Sequence, residues 1–313
     1  MNENNKSKIF SNPIFVTLAG LLCCALWGSA TPFIKTGYEL VLPERDVPST
    51  ILFAGIRFAM AGLITVIIYS IARRKVLYPR PENFGRVGIV ALFQTVIQYI
   101  FFYVGLSNTT GVKGTVLSGS SVFFAILISA LIFRQEKLTV KKIVACILGF
   151  LGIIMVNLNG LTLDMNFTGD AFVIFSAASL GVSSVLIKKF SGKEDPVVIS
   201  GYQFIVGGIF MIIVALIFGG RIYLGSPVGV GVLVYLAFLS AIAYSLWGIL
   251  LKYNPVSRVT IFSCTTPIFG VILSTIILSE ASNVGIFNLI FALVLVCLGI
   301  LVLNYQPKAK EKD

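Results

Sequence analysis

Apolar residues along this chain gather into runs of roughly 20, the length that crosses a hydrocarbon core as a helix. Short polar, charged or Pro-containing segments separate them. Ten such runs occur, at about 13–35, 49–72, 84–106, 112–133, 141–158, 168–189, 196–218, 228–251, 257–279 and 284–304. A segment surrounded by lipid must satisfy its own backbone groups, so each run predicts a helix. The strict polar–apolar alternation of a membrane β-barrel strand is missing. Connections carry breakers or charges, as in Tyr78-Pro79-Arg80-Pro81, Asn108-Thr109-Thr110-Gly111 and Asn254-Pro255. The longest is expected from Thr36 to Pro48 and includes Glu39, Glu44, Arg45 and Asp46. No segment reads as a separate soluble domain.

Composition agrees. Of 313 residues, 57% are hydrophobic and 12% charged, about half the charged share of a soluble protein. The net charge of +11 would point to nucleic acid in a soluble chain. Here the basic residues fall between the apolar runs, so membrane orientation explains them and nucleic acid does not. With both termini cytoplasmic, the far side holds only Lys35, Arg45, Lys113 and Arg221, and Arg57 lies within a run, leaving 19 of the 24 Lys and Arg residues on the cytoplasmic side. Lys6 and Lys8 before the first run resemble a signal peptide, but the length of that run and the spans after it predict an uncleaved helix. There is no His, and Cys23, Cys24, Cys146, Cys264 and Cys297 all lie within apolar runs. They read as thiols packed as small apolar groups, not as metal ligands or disulfides, and no cofactor is expected.

The chain also repeats itself. Gly55-Ile56-Arg57-Phe58 and Ala61-Gly62 in the second run match Gly201-Tyr202-Gln203-Phe204 and Gly207-Gly208 in the seventh. Leu151-Gly152 through Asn157 matches Leu298-Gly299 through Asn304, and Glu136 after the fourth run matches Glu280 after the ninth. The offsets of 146, 147 and 144 residues are nearly constant. A repeat of five spans has an odd number of crossings, so the two halves must be inverted. The charges follow side and not repeat position: Arg73-Arg74-Lys75 closes the second run, whereas Arg221 alone follows the seventh. Inverted repeats are the architecture of alternating-access carriers, with the site between the halves near the midplane.

These residues resemble the EamA type of the drug/metabolite transporter superfamily. Trp27-Gly28-Ser29 through Lys35, the Arg57-Phe58 pair, and Glu136 and Glu280 match that family's motifs in order. The resemblance covers about 13–305, as one repeat over 13–158 and an inverted one over 168–304, with tails 1–12 and 305–313. It implies an all-α membrane protein, ten helices around a central cavity, in a bacterial plasma membrane. It also implies export of amino acids or related metabolites. Thr265-Thr266-Pro267 in the ninth run looks like the family's small-residue–Pro motif, while Ser121-Val122-Phe123 in the fourth lacks the Pro, so a kink is not expected there on sequence grounds.

Arg57 is the one charge well inside a run. Such a residue costs about 2.5–3.5 kcal/mol at a bilayer centre on insertion scales. It either snorkels to the interface or serves as a cavity cation for an anionic group; its repeat mate, Gln203, is also polar. Gln94 and Gln98 stand at i, i+4, where facing lipid would be costly. Trp27, Tyr244 and Trp247 line a cavity or sit at an interface. Ser121 and Thr265 are further candidates, although membrane helices also use small hydroxyl residues as glue, as in the stripe Ser176, Ser179, Ser183. Glu136 and Glu280 read as helix-end anchors. No Asp or Glu lies in the middle of a run, which favours facilitated diffusion or coupling through a loop acid such as Glu39. The expected partners are a small-molecule substrate and membrane lipids, in a monomer or homodimer. An enzyme is disfavoured by the lack of His and of an intramembrane acid pair. A flippase for a lipid-linked substrate, or a channel-like facilitator of the same fold, stands as the second possibility.

Overall fold

The computed structural model describes residues 3–109, 111–158, 166–278 and 286–304, and every regular element among them is helical. A short α1 (Glu3–Phe10) precedes α2 (Pro13–Val41) and α3 (Val47–Arg73). α4 (Phe84–Ala91) passes through a π-turn at Leu92–Ile97 into α5 (Gln98–Ser107). α6 (Gly111–Gly119) and α7 (Ser121–Leu127) lead to a second π-turn at Ile128–Ile132. Then come α8 (Val140–Asn157), a π-turn at Phe167–Ala171, α9 (Phe172–Phe190), α10 (Pro196–Ile217) and α11 (Pro227–Tyr253). α12 (Val256–Thr260) runs through a 3-10 turn at Ile261–Thr265 into α13 (Thr266–Leu278), and α14 (Ile286–Asn304) is the last described element. Eight helical segments among the described residues are long and apolar enough to cross a membrane, and Phe287–Leu303 is a shorter apolar helix.

Local sequence sets the starts. Asn12, Asp46, Asp195 and Ser226 each accept a backbone N–H from the first turn of the following helix, with Pro in its first or second position. A short acceptor followed by Pro satisfies an orphan donor and presets φ for the helix. The same economy shortens the connection expected at Thr36–Pro48. α2 continues to Val41, where Leu42 N–H still bonds Tyr38 O at 3.1 Å, and Val47 already begins α3.

Two close crossings organise the packing. α3 lies against α10, and α8 against α14. At the first, a Cβ on Gly55 would meet Gly208 O at 3.0 Å and one on Gly62 would meet Gly201 O at 2.5 Å. At the second, a Cβ on Gly152 would meet Ala292 O at 3.0 Å and one on Gly299 would meet Ala145 O at 2.8 Å. Small residues let helices approach where lipid offers no hydrophobic drive for association. Around these crossings α2 packs on α11 and α13, and α9 packs on α5 and α7.

Three expectations change. Cys23, Cys24, Cys146 and Cys264 are buried, but Cys297, on α14, is exposed. The fourth run is interrupted despite lacking Pro: α6 ends at Gly119, Ser120 intervenes and α7 begins at Ser121, with Ser120 Oγ bonded to Leu117 O at 2.6 Å. A side-chain hydroxyl competing for a carbonyl is enough to loosen a helix beside a Gly. Arg57 lies ten residues into α3, about 15 Å at helical rise and deeper than its run suggests, because α3 starts at Val47. Glu280 and the tail from 305 onward lie outside the described residues.

Candidate functional site

Arg57 does not snorkel. Its side chain is buried against α11, where Nε and Nη2 donate to Ser240 Oγ at 3.1 and 2.9 Å. Ser240 Oγ in turn donates to Leu236 O at 2.9 Å, so this hydroxyl is oriented by its own helix to receive the guanidinium. The nearest aromatic face is that of Phe58, whose centroid is 5.0 Å from Arg57 Cζ. Among the described residues, no carboxylate comes within ion-pair distance of Arg57. A buried cation held only by a hydroxyl and a ring retains most of its attraction for an anion.

Aromatic side chains surround this point. Phe58 stacks on Phe204, its counterpart in the other half, with centroids 5.0 Å apart and planes 8° apart. Tyr99 and Tyr244 share a hydroxyl–hydroxyl bond of 2.8 Å, and Phe204 meets Tyr244 edge-on at 4.8 Å. Trp27 sets its ring edge-on to both Tyr244 (5.1 Å) and Trp247 (4.9 Å), and packs against all three apolar clusters of the core. Rings thus link α2, α3, α10 and α11, and Tyr99 of α5 joins them through Phe58 and the Tyr244 hydroxyl.

The amides form a second group. Gln203 is fully buried and its Oε1 accepts from Thr95 Oγ1 at 2.6 Å, within the π-turn that follows α4. Gln94 and Gln98 are buried too, Gln94 within that π-turn and Gln98 directly after it. Among the described residues, Gln203 Nε2, Gln94 Oε1, Gln98 Oε1 and Trp27 Nε1 have no hydrogen-bond partner. Buried polar atoms are rarely left so, and each marks a place where a water or ligand group would be favourable. Membrane π-turns of this kind often accompany functional sites.

Ser121 and Thr265 are not joined by any described hydrogen bond to the Arg57 group. Both are buried, at the break before α7 and the 3-10 turn before α13, where Thr265 Oγ1 returns to Phe262 O at 2.7 Å. Of the Ser stripe, Ser179 Oγ donates across to Phe93 O at 2.6 Å, whereas Ser183 Oγ returns to Leu180 O of its own helix at 2.8 Å. Sequence reading misses Thr95, Tyr99 and a buried ion pair between Lys113 and Asp170 at 2.9 Å, to which Thr109 Oγ1 and Asn166 N–H also donate. The i, i+4 spacing of Thr95 and Tyr99, interleaved with Gln94 and Gln98, is the available signal for the first two. The ion pair has none, since its members stand on different runs. Two cavities, of about 240 and 130 Å³, lie away from Arg57; the smaller is apolar and lined by Gly88, Ala91, Leu92, Val96, Val206 and Phe210. Among the described residues, no group of three His, Cys, Asp or Glu is placed to hold a metal.

Comparison with known proteins agrees with this architecture. The profile of the EamA-like transporter family matches the chain twice, over residues 14–158 and 167–305. An uncharacterized transporter of Archaeoglobus fulgidus is 25% identical over 265 residues, covering 83% of this chain and 88% of that one. An uncharacterized transporter of Synechocystis is 26% identical over 272 residues, covering 80% and 81%. A WAT1-related chloroplastic protein of Arabidopsis thaliana is 23% identical over 266 residues, covering 80% of this chain and 63% of its own length. One crystal structure shares the fold with a TM-score of 0.76 at 18% identity, covering 92% of this chain and 96% of that one.

Proposed function

This chain belongs to the EamA-like transporter family, and from that premise we propose that it carries a small carboxylate-bearing metabolite, an amino acid or a related compound, across the plasma membrane by alternating access between two inverted five-helix repeats. Family membership and the apolar helices make it a multi-pass membrane protein and a transporter. The observation that carries the finer reading is the buried Arg57, bonded to Ser240, set over the Phe58 ring and lacking any described acid. In this reading Arg57 receives the carboxylate, the oxygens of Gln94 and Gln98 and the Tyr99–Tyr244 pair accept donors on the substrate, and Trp27 and Trp247 wall the site.

Several contacts support the inverted repeat. Exchanging the halves by an offset of 146 turns the Gly55–Gly208 approach into the Gly201–Gly62 approach, and places Phe58 on Phe204 and Arg57 on Gln203. An offset of 147 turns Gly152–Ala292 into Gly299–Ala145. A pairing that maps onto itself is what a two-fold axis produces. The eight long spans with α8 and α14 then make ten. The helix breaks before α7 and before α13 fall at matching positions of the two halves, in keeping with discontinuous helices near a carrier's site. The basic residues at the ends of α3, α9 and α11 favour the cytoplasm for that end and for both termini, and export is the direction the family resemblance favours. Purified protein should be stabilised against heat by amino acids or their 2-oxo acids and not by the matching amines or alcohols. Equal stabilisation by the uncharged analogues would refute the role given to Arg57.

A further inference from the structure

Each half of the chain holds the segment that leads into the other half's first helix, and the two grips are built alike. At the sparsely basic end, α5 runs out into Asn108, whose Nδ2 donates back to Val104 O at 2.8 Å. Asn108 O accepts from Nδ2 of Asn166, the residue that caps the π-turn before α9, at 2.8 Å. At the basic end, α11 runs out into Asn254, whose Nδ2 donates back to Leu250 O at 3.0 Å. It also reaches Phe10 O at 2.8 Å, just before Asn12 caps α2. Asn254 and Leu250 stand 146 residues after Asn108 and Val104. A cation follows shortly after both. Lys113 pairs with Asp170 at 2.9 Å, and Arg258 Nη1 donates to Ser11 O at 3.4 Å. Asp170 also accepts from Thr109 Oγ1 at 2.7 Å and from Asn166 N–H at 2.8 Å. Glu136 adds to the join at the basic end, where its Oε1 accepts from Ser257 N–H at 3.0 Å.

Between the two grips lie the buried Arg57 and the Trp27, Tyr244 and Trp247 rings, with Trp27 midway along α2. A site held shut toward both surfaces is the occluded state of a carrier, and each opening requires one end to part. We propose that the two grips are the carrier's gates. Lys113–Asp170 with Asn108–Asn166 closes one end, and Asn254–Phe10 with Arg258–Ser11 closes the other. The inference rests on the alternating-access reading above and adds to it the contacts that must break. The first gate is tight down to the backbone, since a Cβ on Gly169 would meet Asn108 O at 2.5 Å. An open state of about 1% is a common level for a minor conformer. Losing one hydrogen bond shifts such an equilibrium about fivefold, and breaking a buried ion pair shifts it about a hundredfold.

The chain has two Trp residues, Trp27 and Trp247. Both stand behind the gates, so quenching of their fluorescence by acrylamide, a neutral solute, reads the open population of the purified protein. Hydrogen exchange over residues 104–109 and 166–170, against 8–14 and 250–258, shows which end has parted. Asp170→Asn should raise the open population about fiftyfold, to half of the molecules, and Thr109→Val about fivefold. Both should speed exchange at 104–109 and 166–170. Asn254→Ala should raise quenching about fivefold and speed exchange at the basic end instead. Thr109→Val and Asn254→Ala carry the test if Asp170→Asn does not fold. Gly85→Ala, with nothing within 4 Å of the added carbon, should change neither readout. Faster exchange at the altered end without a gain in quenching would make the grips structural and overturn the proposal, as would unchanged exchange in all three gate variants. The carboxylate thermal shift of the parent judges the Arg57 assignment separately. Its absence beside a gain in quenching would remove the substrate class and leave the gates, and its presence without that gain would remove the gates alone.

Discussion

Replacing Arg57 by Met separates the function of this residue from its place in the fold. Met has similar length and no branch, so it can follow the same path between α3 and α11. The change removes two hydrogen bonds to Ser240 and the contact with the Phe58 ring. Bonds to a charged group contribute about 1.5–3 kcal/mol each, and a desolvated cation–π contact about 2 kcal/mol. Against this, the insertion cost of a central Arg, about 2.5–3.5 kcal/mol, is relieved. Ser240 is not orphaned, because its hydroxyl still donates to Leu236 O. On this count the losses exceed the relief by a few kcal/mol, a margin that the general tolerance for apolar replacement of buried charges reduces. The variant should therefore be less stable than the parent by up to about 4 kcal/mol, a drop of several degrees in Tm for a chain of this size. Ligand response should not survive: the carboxylates that stabilise the parent should have no effect on the variant. The assay is thermal unfolding with and without each compound, with gel filtration to show that the variant is monodisperse. A variant that unfolds or aggregates would show that Arg57 is structural, and one that keeps its carboxylate response would show that the anion binds elsewhere.

The α3–α10 crossing should be intolerant of any side chain. Gly208→Ala brings a Cβ within 2.4 Å of Ala59 N and should cost about 1–3 kcal/mol by overpacking, whereas Gly85→Ala, with nothing within 4 Å, should be neutral or stabilise by up to about 1 kcal/mol; melting both variants in detergent checks the difference. Burial alone would raise the Glu136 carboxyl, but hydrogen bonds from Lys142 and Ser257, with the Lys142 charge, outweigh it and hold the group below its ordinary value. The folded pKa is thus lower than the unfolded one, so this stabilisation is complete above the ordinary glutamate range and is lost as pH falls through the depressed value. Glu136→Gln should flatten that acid limb of a Tm–pH profile, and an unchanged limb would assign it to other groups. Asp170→Asn leaves Lys113 with a neutral partner in a buried setting and should lower stability by about 3 kcal/mol, the low end for a broken buried pair, measured as a drop in Tm that does not alter ligand selectivity.

Much of the architecture is legible in the sequence, because the bilayer restricts what an apolar run can be. The helix ends at Pro13, Pro196 and Pro227 are written as acceptor–Pro pairs, and the structure places them within a residue of the expected starts. Side-chain partners are less legible. Arg57 reads equally as snorkelling or inward, since depth depends on where α3 begins and that depends on the Asp46 cap. The interruption at Gly119–Ser120 is hidden because Ser is compatible with a helix until it bonds a carbonyl of its own turn. Cys297 looks like its buried fellows because apolar sequence does not distinguish a face that meets protein from one that meets lipid. Lys113 counts as a loop charge on the sparsely basic side, although it lies buried against Asp170.

The central claim is that Arg57 stands in a carrier's substrate site between the two halves. Counterflow in proteoliposomes tests it most directly. Vesicles are loaded with the carboxylate that best stabilises the protein, diluted into a trace of the same labelled compound, and followed in time for the parent and for Arg57→Met. The account predicts a transient, saturable overshoot of label with the parent and none with the folded variant. Uptake that rises without overshoot in the parent, or an equal overshoot in the variant, would contradict it.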